Sequence, residues 1–393
     1  MSVTKAINYG DLARMAKRHL PKIAFDFLEG GVDAEEGIAR NERAIAMRRL
    51  VPKYGIDVSK VDTSTQLFGQ TYGQPYGIAP TGAIALFRNG GDVMLARAAK
   101  VANIPFILSG MSTATIEEVA DVAREHTWYQ LYMAKDRNVS WDMIKRAETA
   151  GFSTLVVTVD IPGHGKRERN LRNGYSAARP LKPALQAQVE TLLHPVWLAG
   201  YLSGPALTAS NWQRYAPAGA QGQQVLAYVS TQIPSPVTWD DVAYIRKLWP
   251  RTLVLKGIMH PSDAVRAANL GVDGLMVSNH GGRQMDRAPS PIEVLPAIRD
   301  AAGERVTLMF DSGIRRGADI VTAIALGAKF CFVGRWTLYG VAVGAEAGAR
   351  HAVSMINDEV AAVMTQMGAP DVATIGPDFL MWDERGYGRN ASV

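Results

Sequence analysis

The stretch Val277-Ser278-Asn279-His280-Gly281-Gly282-Arg283-Gln284, with Asp286 just beyond it, holds the residues of this chain best suited to chemistry. A histidine exchanges protons near neutral pH. An arginine presents a planar fork that matches a carboxylate. The two glycines between them allow a tight turn and leave room for a ligand. The apolar run Gly274-Leu275-Met276-Val277 ahead of them reads as a buried strand of a parallel sheet. A base and a carboxylate clamp at one strand end describe a site that holds a small acid and removes a proton from it. The competing reading is a plain strand-to-loop turn with a satisfied histidine and a surface arginine.

Such residues need a scaffold, and the chain supplies a repeating one. Residues 8–48 read as helices, with Leu12, Ala13 and Ala16 at helical spacing, Pro21 opening a second helix and Gly30-Gly31 stopping it. From residue 76, strands and helices alternate. Apolar strands are expected at Tyr76–Pro80, Pro105–Ser109, Trp128–Tyr132, Thr154–Asp160, Leu253–Lys256, Gly274–Asn279, Val306–Asp311 and Phe330–Arg335. Helices fit at Asp92–Val101, Ile116–Arg124 and Trp141–Ala150, and near 262–269, 291–301 and 317–326. Eight such units predict an α/β (β/α)8 TIM barrel with N-terminal helices and a long insertion after strand 4. The parts would be an N-terminal helical segment at 1–75, a barrel at 76–365 carrying an insertion at 172–238, and a C-terminal tail at 366–393. A two-domain doubly wound sheet is the alternative, but no Gly-x-Gly-x-x-Gly turn follows the first strand.

Polar residues gather where these strands end: Thr81, Ser109, Gln130, Tyr132, Thr158, Asp160, Lys256, Ser278, His280, Asp311 and Arg335. In a barrel those ends share one face, where barrel enzymes keep their active sites. The loops after strands seven and eight carry Asp311-Ser312-Gly313-Ile314-Arg315 and Gly334-Arg335. Backbone N–H groups at Gly313 and Gly334, with Arg315 or Arg335, suit a phosphate. Lys256 in mid-barrel calls for an anionic partner, and a reduced flavin would offer one.

The insertion is rich in Pro, Gly, Ala and Gln, with an apolar piece around Leu192–Leu202 that includes Trp197 and Tyr201. It reads either as a lid over the active face or as an interfacial membrane segment. The chain has 393 residues, 47% hydrophobic and 20% charged, with net charge +5. That is ordinary globular composition, tilted toward anionic ligands or an acidic membrane surface. There is no basic run, so nucleic acid is not an expected partner. The single Cys331 excludes a disulfide framework and points to a reducing compartment. The start lacks a signal-peptide core. Cytoplasmic localisation is expected, with peripheral contact to the cytoplasmic membrane as the insertion's second reading.

Ser278-Asn279-His280-Gly281-Gly282-Arg283-Gln284 resembles the signature of the FMN-dependent 2-hydroxy-acid oxidase and dehydrogenase family. The resemblance begins at Leu20-Pro21-Lys22. It passes through Pro80-Thr81-Gly82, Gln130-Leu131-Tyr132, Thr158-Val159-Asp160 and Lys256-Gly257, and ends at Gly334-Arg335. It implies FMN against the backbone of Pro80, Thr81 and Gly82, hydrogen-bonded by Ser109, Gln130, Thr158, Lys256 and Ser278. The ribityl and phosphate would reach Asp311, Gly313, Arg315, Gly334 and Arg335. His280 would be the base and Asp160 its orienting partner. Arg167 and Arg283 would hold the substrate carboxylate, and Tyr132 would bond the substrate oxygen. No metal is expected. A homotetramer is what the family suggests.

Two positions depart from the family pattern. Phe27 stands where a tyrosine is usual, so a donor to the carboxylate is missing. Met111 stands where glycolate oxidase has tryptophan, which leaves an adaptable apolar pocket for a larger side chain. Gly82, where the family's oxidases often have alanine, favours a dehydrogenase that passes electrons to a quinone. The expected reaction is therefore oxidation of an (S)-2-hydroxy acid of mandelate or lactate type to the 2-oxo acid, with an oxidase that releases H2O2 as the alternative. A flavin-free phosphate-metabolite isomerase or lyase and a non-catalytic binding barrel are the readings from other classes.

Overall fold

A computed structural model describes residues 2–174 and 185–381. Arg179 and Lys182 of the insertion, and the tail from 382 on, lie outside the described residues.

Three helices lead the chain: α1 (Tyr9–His19), α2 (Lys22–Glu29) and α3 (Glu36–Ala46). The Asn8 side chain caps α1 by accepting from the Asp11 N–H. A short antiparallel hairpin follows, β1 (Thr65–Leu67) and β2 (Gln70–Tyr72). The alternation then runs β3 (Tyr76–Ile78), α4 (Gly91–Val101), β4 (Phe106–Ser109), α5 (Ile116–Ala123), β5 (Thr127–Leu131), α6 (Arg137–Thr149) and β6 (Thr154–Thr158). A short helix, α7 (Glu168–Arg172), leads into the insertion, which contributes α8 (Leu185–Leu192), α9 (Pro195–Leu202) and α10 (Gln223–Gln232). The barrel resumes with α11 (Trp239–Leu248), β7 (Thr252–Ile258), α12 (Pro261–Asn269), β8 (Gly274–Val277), α13 (Pro291–Ala302), β9 (Thr307–Asp311), α14 (Gly317–Ala325), β10 (Phe330–Val333) and α15 (Arg335–Met367).

Strands β3 to β10 close into one parallel barrel, with β10 pairing back onto β3. This is the expected (β/α)8 architecture rather than a doubly wound sheet. Each strand is buried because helices cover the outside and side chains fill the inside. Inside, Ile107, Trp128, Val156, Val254, Met276, Met309 and Phe332 form their own cluster. Outside, Leu12, Ala16, Leu28 and Ile45 of the N-terminal helices join the same core as the barrel helices.

The β1–β2 hairpin is an addition to the N-terminal helical segment expected at 1–75. It plugs the barrel floor: Phe68 lies 5.9 Å from Trp128, and Tyr72 lies 5.7 Å from Phe330. Gly69, at φ +80°, makes its turn.

The insertion divides into two unlike parts. Residues 205–238 are built into the barrel rim. Trp212 is fully buried and donates from Nε1 to the Gly110 carbonyl at 2.8 Å. Asn211, also fully buried, donates to Ser112 Oγ at 3.0 Å and accepts from the Ile116 N–H at 2.9 Å. At the far end of α10, the Gln232 carbonyl accepts from the Lys135 N–H at 3.0 Å. The α8–α9 hairpin touches the body more lightly and exposes Leu185, Val189, Leu192, Leu193, Val196 and Leu202. Trp197 corrects an expectation. It does not face a lipid interface but is buried, donating from Nε1 to the Leu86 carbonyl at 2.9 Å with Tyr201 stacked on it. A buried indole N–H needs such an acceptor. Among the described residues no helix is long and apolar enough to cross a membrane.

Candidate active site

The strand ends place their polar residues as barrel topology requires. Strand β8 ends at Val277, and the chain turns through His280, Gly281 and Gly282 at φ +60°, +68° and +76°. A left-handed histidine costs about 1–2 kcal/mol, so the surroundings must hold it. They do so through its backbone. The His280 N–H donates to Ser278 Oγ at 3.1 Å, the Gly281 N–H to Ser312 Oγ at 2.9 Å, and the Gly282 N–H to Asn279 Oδ1 at 3.1 Å.

The imidazole then points at two partners. Nδ1 lies 3.0 and 3.2 Å from the carboxylate oxygens of Asp160, at the end of β6. An ionised carboxylate only accepts, so Nδ1 carries the proton and Nε2 keeps its lone pair. Nε2 lies 3.5 Å from the Tyr132 hydroxyl, just after β5. Burial lowers the His280 pKa below the ordinary imidazole value, Asp160 opposes that shift, and Lys256 and Arg167 reinforce it. Burial alone would raise the Asp160 carboxyl, but His280 and Lys256 hold it below the usual carboxylate range. At neutral pH the pair is a neutral base backed by an anion. Burial also raises the Tyr132 pKa, which keeps that hydroxyl a donor.

A cavity of about 510 Å³ opens over this pair. Pro80, Thr81, Gly82, Lys256, Asp311 and Gly313 line it, as do Arg315, Gly334 and Arg335. So do Phe27, Met111, Tyr132, Arg167, His280 and Arg283. Ser109, Gln130, Thr158, Asp160 and Ser278 stand behind its walls and are buried or nearly so. Arg283 donates from Nη1 to the Gly30 carbonyl at 2.5 Å and lies 5.6 Å from the Phe27 ring centroid. Arg167 donates to Gln284 Oε1 at 3.3 Å, while Gln284 Nε2 donates to the Asp160 carbonyl at 3.1 Å.

Lys256 has the anionic partner that its burial calls for. Its charge is met within the protein, 3.0 Å from Asp311, and its Nζ also donates to Ser278 Oγ at 2.9 Å. Burial alone would lower its pKa, but Asp311 and then Asp160 outweigh that and keep it cationic. Arg315 likewise pairs with Glu42 at 2.9 Å and lies over the Tyr9 ring at 4.8 Å. Arg335 donates to the carbonyls of Glu29 at 3.0 Å and Gly30 at 3.3 Å.

Several features match a flavin. Gln130 Nε2 and Thr158 Oγ1 are buried at the barrel's active end without a partner among the described residues. Buried polar atoms of this kind call for a ligand. A Cβ built on Gly334 would meet nothing within 4 Å, so that backbone faces open space, beside Arg335 and the start of α15.

Sequence reasoning missed three contributors. Gln284 ties Arg167 to the Asp160 strand end, Ser312 holds Gly281, and α10 supplies a cavity wall through Leu226, Ala227 and Ser230. Ser312 and Gln284 stood inside motifs already singled out. The α10 wall carries no local signal.

Comparison with known proteins agrees. Residues 16–382 match the model of the FMN-dependent dehydrogenase family. An L-lactate dehydrogenase of Caulobacter vibrioides is 37% identical over 375 residues, covering 94% of this chain and 96% of that protein. The solved structure of a monotopic membrane protein, (S)-mandelate dehydrogenase, superposes with a TM-score of 0.91 at 34% identity, covering 96% of this chain and 100% of that one. A mandelate oxidase structure with (S)-4-hydroxymandelic acid gives a TM-score of 0.81 at 33% identity, with coverages of 94% and 97%. This chain therefore belongs to the FMN-dependent dehydrogenase family, and FMN is its cofactor.

Proposed function

We propose that this enzyme oxidises an (S)-2-hydroxy acid of mandelate or lactate type to the 2-oxo acid. The observation that carries the reading is a neutral, carboxylate-backed His280 sharing one cavity with Arg167, Arg283 and Tyr132. FMN, when bound, accepts the two electrons released. Gly82 and Gly334 would frame it, Gln130 and Thr158 would bond it, and Arg315 and Arg335 would neutralise its phosphate.

Arg283 and Arg167 grip the substrate carboxylate and fix the hydroxy-bearing carbon in front of His280 Nε2. Nε2 takes a proton from the substrate, and Asp160 stabilises the imidazolium that forms. Tyr132 donates to the substrate oxygen as it becomes a ketone. Met111 and the α10 residues Leu226 and Ala227 bound the cavity on the side-chain end, which favours an acid larger than glycolate.

The acceptor reading is a quinone. Gly82 supports it less than first expected, because a Cβ there would lie 2.7 Å from Met111 Cβ, so packing alone demands glycine. The better support is the α8–α9 hairpin. Its exposed Leu192, Leu193 and Val196 suit an interfacial contact, and a structural relative is a monotopic membrane protein. The enzyme would sit peripherally on the cytoplasmic membrane, as a homotetramer.

The test is anaerobic. Purified yellow protein is mixed with glycolate, lactate, mandelate and long-chain hydroxy acids while flavin absorbance is followed. Bleaching by mandelate or lactate, followed by rapid reoxidation with a soluble quinone and slow reoxidation in air, is expected. Protein that no 2-hydroxy acid bleaches ends the proposal. Fast reoxidation by oxygen with H2O2 release makes it an oxidase.

A further inference from the structure

The His280 turn is held from an unexpected direction. Helix α3 lies some 240 residues earlier in the chain, and its Asn41 forms a reciprocal amide pair with Asn279. Asn41 Nδ2 donates to Asn279 Oδ1 at 2.8 Å, and Asn279 Nδ2 donates to Asn41 Oδ1 at 2.8 Å. Both side chains are buried, at 1% and 6% exposure. Asn279 Oδ1 also accepts from the Gly282 N–H, and Asn279 Nδ2 donates to the Pro289 carbonyl at 3.2 Å. One amide therefore spans the three left-handed residues that carry the imidazole, and Asn41 fixes that amide in place.

The rest of α3 braces the same loop. The Gly37 N–H donates to Asp286 Oδ1 at 2.7 Å, and Arg40 Nη1 donates to the Asp286 and Ala288 carbonyls at 2.7 and 3.0 Å. A Cβ on Gly282 would lie 2.8 Å from the Ile38 N, so the loop packs directly on the α3 backbone. Asn41 does not itself line the cavity: its backbone and Cβ pack beside Gly313, while its side-chain amide bonds to Asn279. A left-handed histidine relaxes toward ordinary backbone angles unless its surroundings prevent it. An unpaired buried amide would also seek another partner.

From this geometry we infer that Asn41 is a positioning residue for the catalytic base: the Asn41–Asn279 amide pair locks the left-handed turn that aims His280 at the substrate. The inference rests on His280 being the base. It makes α3 part of the catalytic apparatus rather than packing alone.

The test uses FMN-loaded Asn41→Ala and Asn41→Asp beside His280→Ala. Anaerobic flavin reduction by the preferred hydroxy acid is followed by stopped flow across pH, with FMN retention and thermal melting measured on the same samples. Asn41→Ala should keep FMN and the substrate KM, because Arg167 and Arg283 are untouched, and should lose about 10- to 100-fold in the reduction rate. Asn41→Asp keeps an acceptor for Asn279 Nδ2 but loses the donor to Oδ1, so an intermediate loss is expected.

The acid limb of the rate profile should move up toward an ordinary imidazole in both variants, as the ring leaves its enclosed place. The groups facing the ring there are Asp160, Lys256, Tyr132, Arg167 and Arg283, and none is altered. A merely structural role would lower the melting temperature but leave the limb where it was. An unchanged limb with an unchanged rate overturns the inference, as does a KM rise with no change in rate. If Asn41→Ala does not fold, Asn41→Asp decides on the same readouts. If His280→Ala itself reduces flavin at the native rate, the assignment of the base fails instead, and the two failures are separable.

Discussion

The His280 turn and the α8–α9 hairpin both sit on the barrel's active side, yet they treat exposed chemistry in opposite ways. In the turn, each backbone N–H from His280 to Gly282 has an acceptor, and the imidazole has a carboxylate on one side and a phenol on the other. In the hairpin, Leu192, Leu193, Val196 and Leu202 are left in solvent, while Trp197 turns inward with Leu198 and Tyr201 partly buried against the same core. The first region is complete within one molecule and preorganised for a reaction. The second leaves an apolar face exposed. Changes in the turn should therefore alter rate and leave location alone, and changes in the hairpin should do the reverse.

The strongest break of this comparison is His280→Ala. Removing a general base costs roughly 10²–10⁴-fold, so flavin reduction should fall by that much with FMN still bound and membrane partition unchanged. Stopped-flow reduction of the yellow variant measures it, and near-native reduction refutes the role. The native enzyme's pH profile sharpens the point. The base works only when neutral, and burial pushes its pKa down. Activity should thus persist as pH falls below about 6.5, the ordinary histidine value, and decline only further down. A half-maximum at or above that value contradicts the buried neutral pair. Arg283→Lys comes next. An ammonium cannot reproduce a planar fork, and a charged hydrogen bond is worth about 1.5–3 kcal/mol, or roughly 10- to 150-fold. That loss should appear in kcat/KM for acids. Equal loss with the uncharged amide analogue would remove Arg283 from the carboxylate.

Much of this was legible before any coordinates. Strands such as Leu253-Val254-Leu255 announce themselves because a sheet covered on both faces needs continuous apolar runs. Their ends are less sharp: the run Thr154–Asp160 reads as one strand, but its ladder stops at Thr158 so that Asp160 can turn toward His280. The floor hairpin was missed although Gln66-Leu67-Phe68-Gly69-Gln70 carries a turn glycine between alternating residues, since three-residue strands leave little periodicity to read. Partners distant in sequence were invisible. Nothing near Lys256 names Asp311, and nothing near Asn279 names Asn41. Trp197 misled because an indole in an apolar run reads alike at a lipid boundary and in a core, and only its bond to Leu86 separates the two.

The hairpin gives the next prediction, now narrower than the whole insertion. Residues 205–238 wall the cavity and hold the Gly110 and Lys135 loops, so exchanging all of 172–238 would damage the site. Changing only Leu192, Leu193 and Val196 to serine spares it. Each aliphatic side chain is worth up to about 1.5–3 kcal/mol when fully buried. The triple variant should thus lose at least about tenfold in binding to anionic vesicles at low salt, with flavin reduction by substrate unchanged. Co-sedimentation decides it: native protein that stays in the supernatant makes the hairpin something other than a membrane contact.

Phe27→Tyr should have the smallest effect; the Phe27 ring lies 5.6 Å from the Arg283 guanidinium and 6.1 Å from the Phe87 ring. A para hydroxyl there would add a donor on the cavity wall that also carries Arg167 and Arg283, the proposed carboxylate clamp. A new hydrogen bond nets about 0.5–1.5 kcal/mol, so KM for lactate should fall by roughly 2- to 10-fold. For mandelate the gain should be smaller, because a larger side chain already draws affinity from the apolar lining. The same KM before and after, for both acids, would place the ring's far edge away from the carboxylate and leave Arg167, Arg283 and Tyr132 as its whole polar seat.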